Sequence, residues 1–377
     1  MRIGFDGKRA VQNFTGLGNY SRYVADILCH FYPENDYVLY APKKRENKRM
    51  NLLTGQYRQL TLAYPATSFW KKLSSLWRVW GITSQLEKEG IELFHGLSNE
   101  LPLNIHKSRI KSIVTIHDLI FLRYPQYYQS IDRKIYTYKF RKACENADKI
   151  IAISECTKRD IIRYFNIPDD KIEVVYQGCD VSFTHPVTEE KKEEVRKKYQ
   201  LPDHYILNVG SIEERKNILA AVQALPMLPQ HIHIVIVGRR TGYTEKVEQF
   251  IKDNGLGERV HIISNVPFND LPAFYQSAEI FVYPSRFEGF GIPIIEALYS
   301  GIPVVAATGS RLEEAGGPDS IYVNPDDITG LADAFKQIYS NSDKRKNMVE
   351  KGREFAKRFS EKQQSEEIIN IYKKLIR

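Results

Sequence analysis

Short apolar, β-branched runs of strand length recur along the first half of the chain, at Arg2–Phe5, Tyr37–Tyr40, Ile91–Phe94, Ser112–Ile116, Lys149–Ile153 and Glu173–Tyr176. Between several of them the apolar positions take a helical spacing. In Asn19–Phe31 the residues Tyr20, Tyr23, Val24, Ile27 and Phe31 fall on one stripe. The second half repeats the scheme, with strands predicted at Tyr205–Val209, His231–Val237, Val260–Ile263, Ile280–Tyr283, Val304–Ala306 and Ile321–Val323. Helices are predicted at Asn217–Leu228, Thr244–Asp253, Asp270–Ser277, Pro293–Ser300 and Thr329–Ser340. Such alternation implies right-handed crossovers and parallel sheets covered on both faces. The fold class is therefore α/β, with two Rossmann-like domains. The charged stretch Thr188–Gln200 carries no strand and is the expected seam, giving an N-terminal domain over 1–187 and a C-terminal domain over 201–360. Ligands of such sheets bind outside the C-terminal strand ends, so two sheets facing one another are expected to hold their ligands in a central cleft.

One segment stands apart. All three tryptophans lie in Phe69–Trp80, where Phe69, Leu73, Leu76, Trp77 and Trp80 share a helical face among Lys71, Lys72 and Arg78. Aromatic stripes at helical spacing usually face a core, and a core-facing helix is the expectation here. The rival reading is a helix lying on a membrane surface.

Composition narrows the class without naming it. The 377 residues suit two or three domains, and 42% hydrophobic with 27% charged residues argue against a disordered chain. No apolar run reaches membrane-spanning length, and the N-terminus meets an acid at Asp6, so neither a transmembrane helix nor a secretory leader is expected. Cys29, Cys144, Cys156 and Cys179 form no close pair, which excludes a zinc ribbon or redox dithiol and fits a reducing cytoplasm. The net charge of +8 is uneven: residues 1–180 hold 28 Lys and Arg against 19 Asp and Glu, and residues 181–377 hold 26 against 27. A basic N-terminal half suits an acidic ligand or an anionic membrane, or is simply a solvated surface. No recognisable nucleic-acid module accompanies it, and no nucleic-acid partner is expected.

Candidate chemistry begins with Gly16-Leu-Gly18-Asn-Tyr-Ser21, a degenerate dinucleotide fingerprint. About ten residues separate it from the first strand and no suitable acid follows, so an NAD(P) site is not expected. A flexible loop overhanging the cleft, its amides near a phosphate or sugar, is the better reading. There is no His-Glu-x-x-His, Cys/His cluster or Asp-x-Asp, so no metal site is expected. Leaving phosphates would then be neutralised by Lys, Arg and helix N-termini. The strongest segment is Ile280–Leu298, in which a strand, a loop with two glycines and a helix opened by Pro293 carry Glu288 and Glu296 eight positions apart. Loop amides at Gly289–Ile292 would face an anion. A loop carboxylate could accept from sugar hydroxyls, and a helix carboxylate from a ribose diol.

Glu288-Gly-Phe-Gly-x-Pro-x-x-Glu296-Ala resembles the Glu-x7-Glu motif of retaining glycosyltransferases of the fourth sequence family, which have the GT-B fold. Further segments agree in order: Asp6 with Thr15-Gly-Leu-Gly18-Asn-Tyr20, Thr115-Ile-His-Asp118-Leu, Ser154 through Asp160, Val174 through Asp180, Gly210 through Asn217, and Thr308 through Gly317. The resemblance runs nearly end to end and is nearest to bacterial mannosyltransferases of polysaccharide and O-antigen assembly. It implies that Arg215 and Lys216 bind the donor diphosphate, Glu288 holds the donor hexose, Glu296 holds the ribose, and His117 faces the sugar near the anomeric carbon. It also implies donor contacts at Gly16, Gly18, Val266, Gly289, Phe290 and Gly291, and a C-terminal helix over 361–377 that packs back on the N-terminal domain. The implied donor is a nucleoside diphosphate sugar, GDP-mannose being favoured over a UDP-sugar, with no metal and no cofactor. The implied acceptor is a glycan or lipid-linked hydroxyl met at the cytoplasmic face of a membrane by peripheral contact. Two departures stand out: Glu313 replaces the usual Pro and Gly316-Gly317-Pro318 the usual Ala-Gly-Asp, while Ser211 in place of Arg leaves phosphate binding to lean on Arg215. The rivals are a non-catalytic carbohydrate- or nucleotide-binding protein and an epimerase or phosphorylase on the same fold.

Overall fold

The computed structural model describes residues 1–14, 16–309 and 311–376, and all but the side chain of Tyr127 among them. Thr15 and Ser310, which fall in two of the quoted motifs, lie outside the described residues. The chain divides into two compact units, Met1–Gln177 with Glu361–Arg377, and Gly178–Ser360.

Unit one is built on seven parallel strands, β1 (Arg2–Asp6), β2 (Asp36–Tyr40), β3 (Leu60–Ala63), β4 (Leu93–Gly96), β5 (Lys111–Ile116), β6 (Lys149–Ala152) and β7 (Ile172–Val174), in the order 3-2-1-4-5-6-7. Unit two has six, β8 (Tyr205–Val209), β9 (His233–Val237), β10 (Val260–Ile263), β11 (Ile280–Tyr283), β12 (Val304–Ala307) and β13 (Ile321–Val323), in the order 10-9-8-11-12-13. Every residue of β4, β11 and β12 is buried, because helices cover both faces of a parallel sheet. This is why these strands read as unbroken apolar runs. The edge strand β3 buries only Leu60 fully, and its sequence LTLA gave no strand signal.

Three local expectations are corrected. The charged seam at Thr188–Gln200 is a helix, Glu189–Tyr199, belonging to unit two. Thr188 caps it by accepting from the Lys191 amide, Gln200 ends it in a left-handed conformation, and Val195 is buried beneath it. Asp270, on the same unit, accepts from Lys198 at 2.7 Å and Tyr199 at 2.9 Å and pairs with Lys191 at 3.0 Å. The unit boundary therefore falls ahead of this helix, at Gln177–Gly178.

Among the described residues the stretch after β1 is mostly helical rather than an open loop. Lys8–Gln12 forms a helix, and the next helix begins at Gly16 and runs to Phe31. Arg22 donates to the carbonyls of Ala10 at 2.7 Å and Asn13 at 2.9 Å. At Gly18 a β-carbon would lie 1.9 Å from the Asn13 oxygen, so only glycine lets the two backbones cross there.

The tryptophan segment is helical but does not face a core as a whole. Ser68–Lys72, Ser74–Leu76 and Ile82–Lys88 are joined through a π-turn at Trp77–Gly81. Trp77 is fully buried with its indole N–H on Gln85 at 3.1 Å, whereas Phe69, Leu73, Leu76 and Trp80 are exposed. Arg78 turns inward, forking onto Asp6 at the end of β1 and reaching Glu100.

The final helix, Glu361–Ile376, belongs to unit one, where Ile368, Ile369 and Tyr372 join the core beside the helix Gly16–Phe31. Among the described residues no helix is long and apolar enough to cross a membrane.

Candidate active site

In unit two the strand order reverses between β8 and β11, so the loops leaving these neighbouring strands diverge and open a crevice at their carboxyl ends. The β8 loop carries Arg215 and Lys216 in a single helical turn, Glu214–Lys216, and the β11 loop carries Glu288. The reversal brings them together although 72 residues separate Arg215 from Phe287. Arg215 Nη1 lies 2.8 Å from Glu288 Oε2 and also donates to the Phe287 carbonyl. Lys216 Nζ lies 3.4 Å from Glu288 Oε1 and 3.2 Å from the Tyr283 hydroxyl. Tyr283 and Ser285 donate to the same carboxylate oxygen at 3.0 and 3.1 Å. Gly210 sits at φ +153, a conformation that favours glycine, and a β-carbon there would stand 2.9 Å from Lys216 Nζ and displace the ammonium.

The electrostatics follow from this crowding. Burial would raise the Glu288 carboxyl, but Lys216, Arg215 and the Arg215 and Ser285 hydrogen bonds outweigh it and hold it down to about 2. Burial likewise opposes the charges of Arg215 and Lys216, and Glu288 reverses it, keeping both well above their ordinary range. All three groups therefore stay ionised at neutral pH, and Glu213, 3.4 Å from Arg215, brings a second carboxylate to the two cations. A diphosphate arriving there would take the place of these carboxylates on donors that are already oriented.

The helix Ile292–Ser300 begins at Gly291, which sits at φ +134 and would push a β-carbon against Leu312 and Ala315. Gly289 and Gly291 thus shape the loop at the helix N-terminus, while the Phe290 ring is buried against Phe359, 5.6 Å between centroids, leaving only its backbone for a ligand. Glu296 lies one turn into the helix, and the Tyr275 hydroxyl donates to its Oε2 at 2.6 Å. Burial, helped by nearby Asp180, pushes Glu296 up to about 7 against that hydrogen bond. Val266 follows β10 and the left-handed Asn265, half-buried at the same carboxyl edge of the sheet. Among the described residues no group of three or more His, Cys, Asp or Glu is placed to hold a metal ion.

Sequence reasoning missed three supports of this site. Arg311 is fully buried, stands 4.2 Å over the Phe287 ring and donates to the Glu288 carbonyl at 2.8 Å, fixing the loop from beneath. Tyr283 and Ser285 flank the loop as hydroxyl donors. Only their closeness to the end of β11 could have marked them. Glu313, the departure from the family pattern, accepts from the Thr308 hydroxyl at 2.6 Å and the Gly309 amide at 3.0 Å, tying its own loop.

His117 and the Gly16–Gly18 segment belong to unit one. His117 follows β5 and is buried. Its Nε2 lies 2.9 Å from the Leu97 carbonyl, which can only accept, so the proton sits on Nε2. Nδ1 then accepts from the Gln177 amide at 3.0 Å. Burial is the first cause of a lowered His117 pKa, so the ring is neutral at physiological pH. The backbone is pinned too: its N–H donates to Asn99 at 2.7 Å, and its carbonyl accepts from Thr157, part of the Ser154 cap of the helix Glu155–Phe165. The Tyr20 ring meets His117 edge-on at 4.6 Å, and the Tyr20 hydroxyl lies 3.3 Å from Thr115. Thr115 contacts His95 at 2.8 Å, and His95 contacts Tyr372 of the last helix at 2.6 Å. Gly16 opens its helix at a place where a β-carbon would meet nothing within 4 Å beyond its own helix and chain neighbours, whereas Gly18 serves the backbone crossing described above.

The glycosyl transferases group 1 model matches residues 189–355, and the glycosyltransferase family 4 model matches residues 21–183. The O-antigen chain mannosyltransferase B of Escherichia coli is 31% identical over 289 residues, spanning 75% of this chain and 74% of the relative. The O-antigen chain mannosyltransferase RfbU of Salmonella typhimurium is 29% identical over 225 residues, 60% of each. In fold, the chain is similar to a glycosyltransferase from Rickettsia africae (TM-score 0.79, 20% identity, 100% of this chain and 98% of that one). It is also similar to Anabaena HepE solved with UDP and glucose (TM-score 0.77, 17% identity, 100% of both chains).

Proposed function

Because the chain belongs to the group 1 glycosyltransferases of glycosyltransferase family 4, and is a GT-B enzyme of that family, we propose the particular reaction it runs: retaining, metal-independent transfer of mannose from GDP-mannose to a hydroxyl of a glycan or lipid-linked acceptor. The observation that carries the reading is the trio Arg215, Lys216 and Glu288 at the switch point of unit two. Charge builds on the departing diphosphate, and Arg215, Lys216 and the loop amides near Gly289 meet it with fixed positive charge, so no ion is needed to neutralise it. Once the diphosphate takes the cations, Glu288 is freed to accept from the hexose hydroxyls, and Glu296 accepts from the ribose diol. The bond from the anomeric carbon to the phosphate oxygen breaks and the bond to the acceptor oxygen forms on the same face. The acceptor's proton passes to the leaving phosphate oxygen. The mannose assignment is supported by the O-antigen mannosyltransferase relatives. The acceptor belongs with the basic unit one, which holds 32 Lys and Arg against 21 Asp and Glu, and the reading places the enzyme peripherally at the cytoplasmic face of a membrane.

The test is release of nucleoside diphosphate from GDP-, UDP- and dTDP-sugars with and without acceptor, in EDTA, with the product's anomeric configuration read by proton NMR. Turnover in EDTA with GDP-mannose and a retained α-linkage is expected. Activity lost to EDTA and restored by Mn²⁺ would overturn the metal-free step, and an inverted product the same-face attack.

A further inference from the structure

Among the described residues twelve large hydrophobic side chains are exposed, and ten of them lie in unit one. Eight of the ten sit on two elements. Phe69, Leu73, Leu76 and Trp80, between 39% and 62% exposed, line the outer side of the segment Ser68–Gly81. Ile131, Ile135, Tyr136 and Tyr138 lie on the helix Ser130–Asn146. The two elements are neighbours: Glu100 pairs with Arg78 of one and, at 3.7 Å, with Lys139 of the other. The Leu103 amide donates to Val79 and the Leu103 carbonyl accepts from Asn146. A concentration of apolar surface of this kind marks an interface.

The segment is also held firmly enough to present that face. Trp77 is sunk in the core, Arg78 is anchored on Asp6 and Glu100, and Trp70 lies so close over Gly81 that a β-carbon there would fall 2.6 Å from the indole. The occupant follows from charge. Ser68–Gly81 carries Lys71, Lys72 and Arg78 with no acid, and Ser130–Asn146 carries five basic residues to two acidic. Lys71 and Lys72 are exposed beside the apolar stripe. A second copy of the chain would set this positive face against itself, whereas anionic lipid headgroups complement it while the aromatic and aliphatic tips enter the headgroup layer.

We propose that unit one docks on an anionic bilayer through Phe69, Leu73, Leu76 and Trp80, flanked by Lys71 and Lys72, with the Ser130–Asn146 helix as a neighbouring contact. The inference rests on the reading above only in that a lipid-linked acceptor makes such docking useful; the docking itself is measured without turnover.

The chain carries its own probe, since its three tryptophans all lie in this segment. The full-length protein is titrated with vesicles of roughly one-third phosphatidylglycerol in phosphatidylcholine, and with pure phosphatidylcholine, following tryptophan emission and quenching by brominated lipid. A blue shift and quenching are expected with the anionic vesicles only, reversed by about 0.5 M salt. Phe69→Ser with Leu76→Ser, and separately Lys71→Glu with Lys72→Glu, should each weaken partitioning at least about ten-fold. Both pairs should leave the melting temperature and nucleotide binding by unit two unchanged, which shows the fold intact. No partitioning, partitioning indifferent to both pairs, or a wild-type dimer that the serine pair converts to monomer would each overturn the proposal. Nucleoside diphosphate release with a water-soluble acceptor, run alongside, separates a failure of docking from a failure of the glycosyltransferase reading.

Discussion

The carboxyl edge of β11 in unit two and the carboxyl edge of β5 in unit one solve opposite problems. Around Glu288 the protein gathers charge: Arg215, Lys216 and Glu288 keep one another ionised, and Glu213 pairs with Arg215 at their side. Around His117 it strips charge away, leaving a neutral imidazole fixed in one tautomer by a carbonyl, an amide and an aromatic edge. The first arrangement suits a diphosphate, whose charge must be met by oriented donors. The second is an uncharged edge whose imidazole is held rigid, with both ring nitrogens already engaged. A carboxylate is therefore cheap beside Arg215 and costly one helix turn into Ile292–Ser300, where Glu296 is pushed up to about 7.

Removing the anion from the charged edge should break the contrast most severely. Glu288→Gln leaves Lys216 without its counter-ion, leaves Arg215 only Glu213, and replaces the carboxylate proposed to face the hexose with a neutral amide, a weaker acceptor. A loss of about 10²–10³ in kcat is expected, the scale of a lost transition-state contact. Steady-state kinetics within a factor of three of wild type would return Glu288 to a loop-capping role.

Next in size is the cation. Lys216→Ala should weaken nucleotide binding by roughly 1.5–3 kcal/mol, the worth of a charge-assisted hydrogen bond, as measured by calorimetry. Arginine at 216 should rescue only part of this, because a planar fork does not reproduce the compact ammonium that meets Glu288 and the Tyr283 hydroxyl together.

The neutral edge is probed by Gln177→Glu. A carboxylate facing Nδ1 favours a proton there and should raise the His117 midpoint by about 1–3 units, carrying the acidic limb of the kcat profile upward with it. NMR titration of the imidazole reads this directly, and Gln177→Asn serves as the uncharged control. An unmoved midpoint would mean that Gln177 does not govern the ring.

The smallest effect belongs to Glu296. Its folded pKa is raised from 4.5 to about 7, so the stability it contributes is full below about 4.5 and is lost as pH climbs to 7. Melting temperature should fall across that window, and Glu296→Gln should flatten the slope while changing kcat only a few-fold. Since a ribose diol donates to the ionised form, nucleotide affinity should rise as pH passes 7. Calorimetry in buffers of different ionisation enthalpy would detect the proton released. The opposite slope in either measurement would remove Glu296 from the ribose.

Much of this was legible in the chain. Runs of β-branched, aromatic and other apolar side chains bounded β8, β10, β11 and β13 to the residue: β11 is buried at every position, while the edge strands β10 and β13 kept a readable run although they are mostly only half-buried. Glycines forced by a close approach or a positive φ, Gly210 and Gly291, together with the two glutamates eight residues apart, marked the donor loops. The sequence by itself determined the two α/β sheets, the register of the strand–loop–helix at Glu288 and the basic bias of the N-terminal half, because each rests on local pattern or composition. Tertiary structure alone decided the rest. Which charges meet depends on strand order, and the reversal between β8 and β11 sets Glu288 between Arg215 and Lys216. Whether a charged stretch is a linker or a packed helix depends on what it docks against, and Asp270 holds Glu189–Tyr199 to unit two. Whether an amphipathic stripe faces core or solvent depends on its neighbours, and here only Trp77 is sunk in the core while Phe69, Leu73, Leu76 and Trp80 stay exposed.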